Sequence, residues 1–329
     1  MNEESNLDAQ FALIDRDNTD TDIALSKGYS QSSVNNPAIA YLLSLGSKKS
    51  RQTMGSFLNI VAKMIGFQSL RDCEWASMRR HHILAVMDML SNAERAPTTI
   101  NTYLSALKGV ALEAWILKLI DTDSYQHIKQ VKSVRGSRLS KGRALATEEV
   151  KKLFFVCDRD KSAIGVRDGA VLSVLIGCGL RRAEAVSLDH SNYDRRDRSL
   201  KVLGKGNKER VVFLPNGAYQ RLEAWIEEVR GEVKGPLFTR IRRHDDTTND
   251  RLSSQAVYHI LDNRRVQAGL EKCAPHDLRR TFASSMLNNG EDLMTVKDAM
   301  GHASLTTTQK YDYRGNERLR EASTRLDIG

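Results

Sequence analysis

The sequence has few of the residues that mark secreted, metal-binding or membrane proteins. It contains four cysteines, five prolines and 6% aromatic residues among 329. The spacing of the four cysteines is too wide for a zinc knuckle: they are Cys73, Cys157, Cys178 and Cys273. So few and so widely spaced cysteines favour reduced thiols, as in a cytoplasm. No apolar run reaches about 18 residues, so we expect no transmembrane helix. The acidic N-terminus predicts neither a signal nor a transit peptide.

The charge is unevenly distributed along the chain. The chain contains 50 lysines and arginines and 41 aspartates and glutamates, which gives a formal net charge of +9. Residues 1–34 hold seven acids and two bases, a balance of −5, so the other 295 residues carry +14. A body this basic indicates a polyanionic partner.

The N-terminal part of the chain predicts a tail followed by a helical unit. Residues 1–34 are polar and lack periodicity, which predicts an acidic mobile tail. Residues 35–132 predict a helical domain: Pro37 opens the first helix, Ser47 caps the second, and the fourth begins after Pro97. A short fifth helix is expected from Tyr125 to Val131.

A basic segment separates this unit from the rest of the chain. Residues 129–143 hold six bases, no acids, two glycines and three serines. We assign 133–146 as an exposed linker. The segment can be a solubilising hinge, but its uncompensated charges favour a strap along a phosphate backbone.

The second domain is predicted to span 147–313, with Thr147 as the N-cap of its first helix. Two β-rich runs, 199–203 and 209–214, flank Gly-Lys-Gly-Asn-Lys and predict a hairpin with Lys205 at its tip. After this hairpin we expect helices to the end of the chain. The fold class is therefore mainly α with a small β component, an α+β protein of two domains.

Four clusters in the second domain hold residue types that can carry chemistry: 177–184, 204–208, 275–282 and 301–313. Each has an ordinary structural alternative when taken alone. An arginine and a glutamate three residues apart are commonly a surface ion pair, and a histidine after a glycine is more often a core residue than a catalyst. The order of the clusters is more informative than any one of them.

This order resembles the tyrosine recombinase (phage integrase) family, and most closely its simple Xer-like members. That family has Arg, Lys, His-x-x-Arg, Gly-His and Tyr in sequence, with the tyrosine nine residues after the Gly-His histidine, as Tyr311 follows His302. The runs Gly-Leu-Arg-x-x-Glu, Gly-Lys-Gly-Asn-Lys-Glu-Arg and Pro-His-x-Leu-Arg also match. The resemblance covers 35–325 in layout and is strongest over 165–313.

The resemblance implies a site-specific DNA recombinase that cuts and rejoins strands through a 3′-phosphotyrosine, without ATP, cofactor or metal. The residues that match the family's catalytic positions are Arg181, Lys205, His276, Arg279, His302 and Tyr311. The two arginines suit the charge on a phosphodiester, and Tyr311 would be the nucleophile. His276 would manage its proton, Lys205 would protonate the leaving 5′ oxygen, and His302 would hydrogen-bond the phosphate.

Other residues receive supporting roles. Glu184 would support Arg181 or His276, because a carboxylate facing the phosphate would repel it. Tyr313 is a rival nucleophile, although the spacing from His302 favours Tyr311. Candidate DNA contacts are Lys129, Lys132, Arg135, Arg138, Lys141 and Arg143 in and beside the linker, and Lys48, Lys49, Arg51 and Lys108 in the helical domain. For the latter four, a solvated basic face is an equal alternative.

The resemblance also implies an assembly on DNA. It predicts a C-shaped two-domain clamp, with a SAM-like helical domain at 35–132 and a mixed α/β catalytic domain, around double-stranded DNA with a specific recombination site. Residues 314–329 would form a C-terminal helix that docks on a neighbouring protomer of a homotetramer, or else packs in its own subunit. A related recombinase or accessory factor can take part. We expect a cytoplasmic, nucleoid-associated protein without membrane contact.

Two other functions fit the same chemistry or charge. A type IB topoisomerase-like relaxer shares the tyrosine chemistry but needs no specific site, and an architectural DNA-binding protein needs no catalysis. The intact set of six catalytic positions argues against the second. Within recombination, integration or excision of a mobile element and resolution of dimers remain open from the sequence.

Overall fold

The structure, a computed structural model, describes residues 36–136, 142–204, 207–302, 304–309, 311 and 323–324. The described chain is mostly helical with two small antiparallel sheets, which confirms the predicted α+β class. It divides into two compact units, 1–139 and 140–329. The predicted tail at 1–34 and all but residues 323 and 324 of the predicted C-terminal helix lie outside the described residues.

The first unit is helical in its described part, and the N-cap side chain accepts a backbone N–H in three of its helices, the first, second and fifth. In this part the helices are α1 (Pro37–Ser44), α2 (Lys48–Met64), α3 (Arg80–Asn92), α4 (Pro97–Ile116) and α5 (Thr122–Lys129). The predicted cap Ser47 accepts from the backbone N–H of Ser50 at 3.0 Å. Helix α5 begins three residues earlier than expected, because the Asp121 carboxylate caps it through the backbone N–H of Ser124 at 2.7 Å.

The core of this unit lies along α4. Its buried residues Ile100, Leu104, Leu107 and Val110 recur at three- and four-residue steps and are at most 2% exposed. Trp75, on a short 3₁₀ turn, joins this core, and its indole N–H donates to the carbonyl of Leu70 at 2.7 Å. Burial of this apolar stripe is what holds the helices together.

The second unit contains the helices α6 (Thr147–Arg159), α7 (Ala163–Gly177), α8 (Arg182–Ser187), α9 (Asn216–Ala224), α10 (Ser254–Gln267), α11 (Pro275–Asn288), α12 (Leu293–Met300) and α13 (Leu305–Gln309) within the described residues. The expected N-cap Thr147 is wrong by one position, since Thr147 is the first helical residue and Ala146 the cap. Ala146 has no capping side chain. The Glu149 carboxylate instead accepts its backbone N–H at 2.9 Å.

The predicted hairpin is confirmed. Strand β2 (Ser199–Leu203) pairs antiparallel with β3 (Glu209–Phe213), and the short β1 (Tyr193–Asp194) pairs with the other edge of β2. The expectation of helices from there to the end is wrong. Strands β4 (Thr239–Ile241) and β5 (Thr247–Arg251) form a second antiparallel pair. Strand β5 reads Thr-Thr-Asn-Asp-Arg, which lacks the apolar alternation that marks a strand.

Helix α7 is the centre of the second unit. It packs against α6, α9 and α11, and Val171, Leu172, Val174 and Leu175 on it are fully buried. Its position fixes the turn that follows it, which carries Arg181.

A buried ionic cluster joins α7 to α10. Asp168 Oδ1 accepts from Arg167 at 2.7 Å, and Asp168 Oδ2 accepts from Arg264 Nε at 2.8 Å. Arg264 also contacts Asp160 at 2.8 Å. The side chains of Asp168 and Arg264 are 5% and 4% exposed, so each charge depends on its partners for compensation.

All four cysteines are free and buried. Burial raises the pKa of the Cys73, Cys157 and Cys178 thiols to about 12, and that of Cys273 is also raised. The thiols are therefore protonated at neutral pH and packed as small apolar groups. Within the described residues, no helix is both long and apolar enough to cross a membrane.

We predict that Asp168→Asn lowers the free energy of unfolding of the second unit by about 3–5 kcal/mol, because it leaves buried arginine charge uncompensated. Urea unfolding combined with hydrogen exchange of peptides from α7 and α10 measures the loss. Asp158→Asn is the control. It breaks an ion pair whose carboxylate is 49% exposed, and should cost less than about 1 kcal/mol. If both variants lost the same free energy of unfolding, burial of the Asp168 cluster would not be the reason for its contribution to stability.

Candidate active site

The turn between α7 and α8 places Arg181. Gly179 in this turn has φ of +60°, and a Cβ there would lie 2.3 Å from Cδ1 of Phe282, so both conformation and space require glycine. Arg181 is the cap residue of α8, and Glu184 in the first turn accepts its backbone N–H at 2.9 Å. The same carboxylate accepts from Arg181 Nη1 at 2.6 Å. Within the Gly-Leu-Arg-x-x-Glu pattern, the glutamate therefore binds both the backbone and the side chain of the arginine.

Helix α11 places His276 and Arg279. Pro275 occupies the first helical position, and Asp277 Oδ2 accepts the backbone N–H of Ala274 at 2.9 Å. His276 and Arg279 are three residues apart, so they share one side of the helix.

Arg279 is the buried cation of the site, with 1% of its side chain exposed. Its Nη1 donates to the carbonyl of Gly179, and its Nη2 donates to the carbonyl of Met300 at 2.5 Å. Its Nη1 also lies 4.0 Å from Glu184 Oε2. Burial and the charge of Arg181 lower the pKa of Arg279 to about 10, so it stays charged at neutral pH. Arg279 therefore connects the turn before α8 to the end of α12.

His302 follows the left-handed cap of α12. Gly301 has φ of +63°, and the backbone N–H of His302 returns to the carbonyl of Lys297 at 3.0 Å. The His302 side chain is buried, with Nδ1 2.9 Å from Thr308 Oγ1. Burial and the charges of Arg279 and Arg181 lower the pKa of His302 to about 4. The ring is therefore neutral near pH 7, with one nitrogen donating and one accepting.

Tyr311 is 6% exposed and belongs to a small apolar cluster. The other buried members are Ala283, Leu287, Val296 and Met300 of α11 and α12. Within this cluster the Tyr311 ring lies 5.9 Å from the His302 ring. Its hydroxyl is 3.3 Å from Nε2 of His276, a long hydrogen bond of the kind that tightens when substrate binds.

His276 is electrostatically suited to accept that proton. Partial desolvation of the ring, followed by the charges of Arg280 and Arg279, lowers its pKa from the usual value of 6.5. The neutral form is therefore favoured at neutral pH, and a neutral Nε2 can accept a hydrogen bond from the Tyr311 hydroxyl.

Within the described residues, the structure brings together the predicted Arg181, His276, Arg279, His302 and Tyr311. Glu184 adjoins this group and contacts Arg181, one of the two partners proposed for it. The predicted Lys205 and the rival Tyr313 lie outside the described residues.

Three residues at the site were not singled out from the sequence. Arg210 Nη2 donates to Glu184 Oε2 at 2.8 Å. The Arg280 guanidinium lies 5.9 Å from the Tyr311 ring centroid. Thr308 contacts His302. Arg210 is the last residue of the run Gly-Lys-Gly-Asn-Lys-Glu-Arg, and this match to the family was the only hint of its importance in the sequence. The run does not predict that Arg210 contacts Glu184, which is 26 residues away in the chain.

Within the described residues, the candidate DNA contacts fall into two groups. Six are exposed: Lys48, Lys49, Arg51, Lys129, Lys132 and Arg135. Of these, Arg51 also donates from Nε to the carbonyl of Leu45 at 3.0 Å. Lys108 instead donates from Nζ to the carbonyls of Lys129 and Val131 at 2.8 and 2.6 Å, and so holds the end of α5. Arg143 pairs with both oxygens of Glu149 at 2.5 and 2.6 Å. Arg138 and Lys141 lie outside the described residues.

The arrangement fits a specific kind of chemistry. Fixed guanidinium groups can bind an anion, and a tyrosine hydroxyl beside a neutral imidazole can act as a nucleophile. Together they suit phosphoryl transfer to tyrosine.

Comparison with known proteins agrees with this geometry. Residues 143–317 match the model of the phage integrase family. Tyrosine recombinase XerC of Herpetosiphon aurantiacus is 30% identical over 249 residues, which is 74% of this chain and 78% of that protein. Tyrosine recombinase XerD of Oceanobacillus iheyensis is 29% identical over 279 residues, 83% of this chain and 91% of that protein.

A solved structure shares the fold. A lambda integrase dimer bound to a COC′ core site superposes with a TM-score of 0.63 at 19% identity, over 87% of this chain and 96% of that one.

We predict that His276 titrates below pH 6.5. A lowered pKa means that the ring remains neutral as the pH falls through 6.5 and gains its proton only below it. NMR titration of histidine-labelled protein measures the midpoint, and His276→Gln assigns the signal among the eight histidines. A midpoint at or above 6.5 would contradict the proton-acceptor assignment.

We predict that Thr308→Val destabilises the fold by about 1–3 kcal/mol, because it removes the hydroxyl that contacts buried His302 Nδ1. The imidazole nitrogen chemical shifts of His302 should change in the same variant. Thr308→Ser keeps the hydroxyl and is the control. If the imidazole nitrogen chemical shifts of His302 were unchanged in Thr308→Val, the contact with Thr308 would not determine which ring nitrogen carries the proton.

Proposed function

Since this chain belongs to the phage integrase family and is a tyrosine-type site-specific recombinase, we propose that Tyr311 is its nucleophile. The observation that carries this proposal is the 3.3 Å contact of the Tyr311 hydroxyl with His276 Nε2, beside the buried Arg279. Attack on a DNA phosphodiester forms a bond from the tyrosine oxygen to phosphorus and breaks the bond from phosphorus to the 5′ oxygen. The product is a 3′-phosphotyrosine and a free 5′ hydroxyl.

Each neighbouring group has a part in this step. His276 takes the proton of the Tyr311 hydroxyl as the phosphorus bond forms, for which its neutral ring is suited. Arg181 and Arg279 stabilise the charge that develops on the non-bridging oxygens. Neutral His302 hydrogen-bonds the phosphate through one ring nitrogen. Lys205 donates the proton that the leaving 5′ oxygen needs.

The bond energy is conserved in the phosphotyrosine. A 5′ hydroxyl from a partner strand reverses the same chemistry and releases Tyr311, so the reaction needs no nucleotide hydrolysis. No cofactor takes part in the proposed mechanism. The similarity to named recombinases favours strand exchange over relaxation or an architectural role.

Double-stranded DNA with a specific recombination site is the proposed substrate. The basic charge of the chain outside residues 1–34 supports this, as does the bound core site of the similar lambda integrase dimer. We assign 35–132 as the second DNA-contacting domain, 133–146 as the linker and 147–313 as the catalytic domain. Exposed Lys129, Lys132 and Arg135 suit phosphate contacts.

The proposed assembly is a homotetramer on two DNA duplexes, into which a related recombinase or an accessory factor can enter. Residues 314–329 would dock on a neighbouring protomer. The cellular role is the integration or excision of a mobile element, or the resolution of dimers, in a nucleoid-associated cytoplasmic protein.

We predict that Tyr311→Phe abolishes covalent DNA attachment and changes the DNA dissociation constant by less than about twofold, because only the attacking oxygen is removed. The assay incubates protein with nicked DNA selected by binding from a random library, and detects an adduct stable to denaturant. Tyr313→Phe is the matched control and should retain the adduct. An adduct that persists in Tyr311→Phe, or is lost only in Tyr313→Phe, would refute the assignment.

A further inference from the structure

Arg210 on strand β3 joins three segments of the site. Its Nη2 and Nη1 donate to Glu184 Oε2 and Oε1 at 2.8 and 3.3 Å, so it holds the carboxylate through both oxygens. Its Nε donates to the carbonyl of Ala299 at 3.1 Å, near the end of α12. The side chain is 13% exposed. One guanidinium therefore links the hairpin, the first turn of α8 and the helix that leads to His302.

Two glycines border this guanidinium. A Cβ on Gly301 would lie 3.0 Å from Arg210 Nη1, so a side chain there would press on the arginine and strain a left-handed backbone. A Cβ on Gly204 would lie 3.4 Å from the same nitrogen. Arg210 thus lies in close contact with the residue before His302 and with the residue that follows β2.

Glu184 is shared among arginines whose charges repel one another. Besides Arg210 it accepts from Arg181 Nη1 at 2.6 Å, and Arg279 Nη1 lies 4.0 Å away. Burial opposes ionisation of Glu184, but the hydrogen bonds from Arg210 and from the Arg181 backbone outweigh it and lower its pKa. Without Arg210, we expect the Glu184 carboxylate to attract the nearby guanidinium groups of Arg181 and Arg279 more strongly, because opposite charges this close attract in a partly buried site.

The same bonding pattern occurs elsewhere in this unit without these neighbours. Arg221 donates to both oxygens of Asp158 at 2.8 and 2.6 Å and to the carbonyl of Gly217 at 3.1 Å. Among the described residues, its hydrogen-bond and ion-pair partners include none of the proposed catalytic residues. Arg221 is therefore a control for the number and type of bonds, in a more exposed pair: the Asp158 side chain is 49% exposed and that of Glu184 is 6% exposed.

We propose that Arg210 is a positioning residue for strand cleavage. It occupies the Glu184 carboxylate and secures the turn before His302, so that Arg181, Arg279 and His302 keep one geometry around the phosphate. The proposal rests on the proposed function, since it assigns Arg210 a part in the reaction of Tyr311. Arg210 acts through these residues and does not touch the reacting atoms.

The test separates the rate of cleavage from the fraction of competent protein. Full-length wild type, Arg210→Met, Arg210→Lys and Arg221→Met are mixed in excess with the nicked DNA used for Tyr311, and adduct formation is followed in a single turnover. The rate constant at saturating protein reports how well the active site is arranged for cleavage. The amplitude reports the fraction of the protein that is able to cleave. DNA affinity is measured in parallel. Wild-type adduct that depends on Tyr311 is established first, so failure of the proposed chemistry is recognised separately.

We expect Arg210→Met to lower the rate constant about 10- to 100-fold, because displacements of about 1 Å cost up to about 10²-fold. Its amplitude and DNA affinity should stay within about twofold of wild type. Arg210→Lys keeps the charge but not the paired bonds, so its loss should be smaller. Arg221→Met should cleave at the wild-type rate. In a Glu184→Gln background, Arg210→Met should cost little more, because the two side chains act as a unit.

Several results would overturn the proposal. These are a wild-type rate constant in Arg210→Met, a loss confined to amplitude, an equal loss in Arg221→Met, or independent effects of Arg210→Met and Glu184→Gln. If Arg210→Met does not fold, Arg210→Lys decides the question. A reduced rate constant at full amplitude supports positioning, and a wild-type rate constant contradicts it.

Discussion

The carboxylate of Glu184 is the interaction on which the site depends. Three arginines converge on it, and like charges at such distances in a partly buried site would otherwise drive the segments apart. A single carboxylate cannot neutralise all of them, so the cluster keeps a net positive charge. Glu184 thus does two things at once: it permits the arginines to be close together, and it leaves charge for an anionic substrate.

The arginines also determine the state of the histidines. The pKa of His302 and that of His276 are lowered by burial and by the guanidinium groups near them, so both rings are held neutral. The groups suited to bind the phosphate therefore also prepare the proton acceptor beside Tyr311. Helix α11 combines the two tasks, because it carries His276 and Arg279 one turn apart and borders the tyrosine through Ala283 and Leu287.

The sequence predicts contacts between residues that are close in the chain, and it does not predict contacts between residues that are far apart in it. His276 and Arg279 are three residues apart within one helix, so helical geometry places them on the same side. Arg181 and Glu184 are also three residues apart, and the cap at the start of α8 brings them together. Arg210 contacts Ala299 across 89 residues, and that contact depends on the whole fold of the second unit.

Composition and pattern have similar limits. The polar strand β5 carries no alternation, so its pairing partner β4 was needed to identify it. Lys108 and Arg143 are basic in sequence like any phosphate contact, but their partners in the fold engage them locally.

The apolar cluster around Tyr311 has a consequence for how activity responds to temperature and denaturant. Its other buried members lie on α11 and α12 and outside the main core of the unit. Small satellite clusters open at lower free energies than a central core, in local fluctuations that leave the remainder folded. Opening of this cluster would remove the tyrosine from His276 while α7 and its neighbours stay packed. We therefore expect catalytic competence to depend on local stability, and inactivation to precede global unfolding.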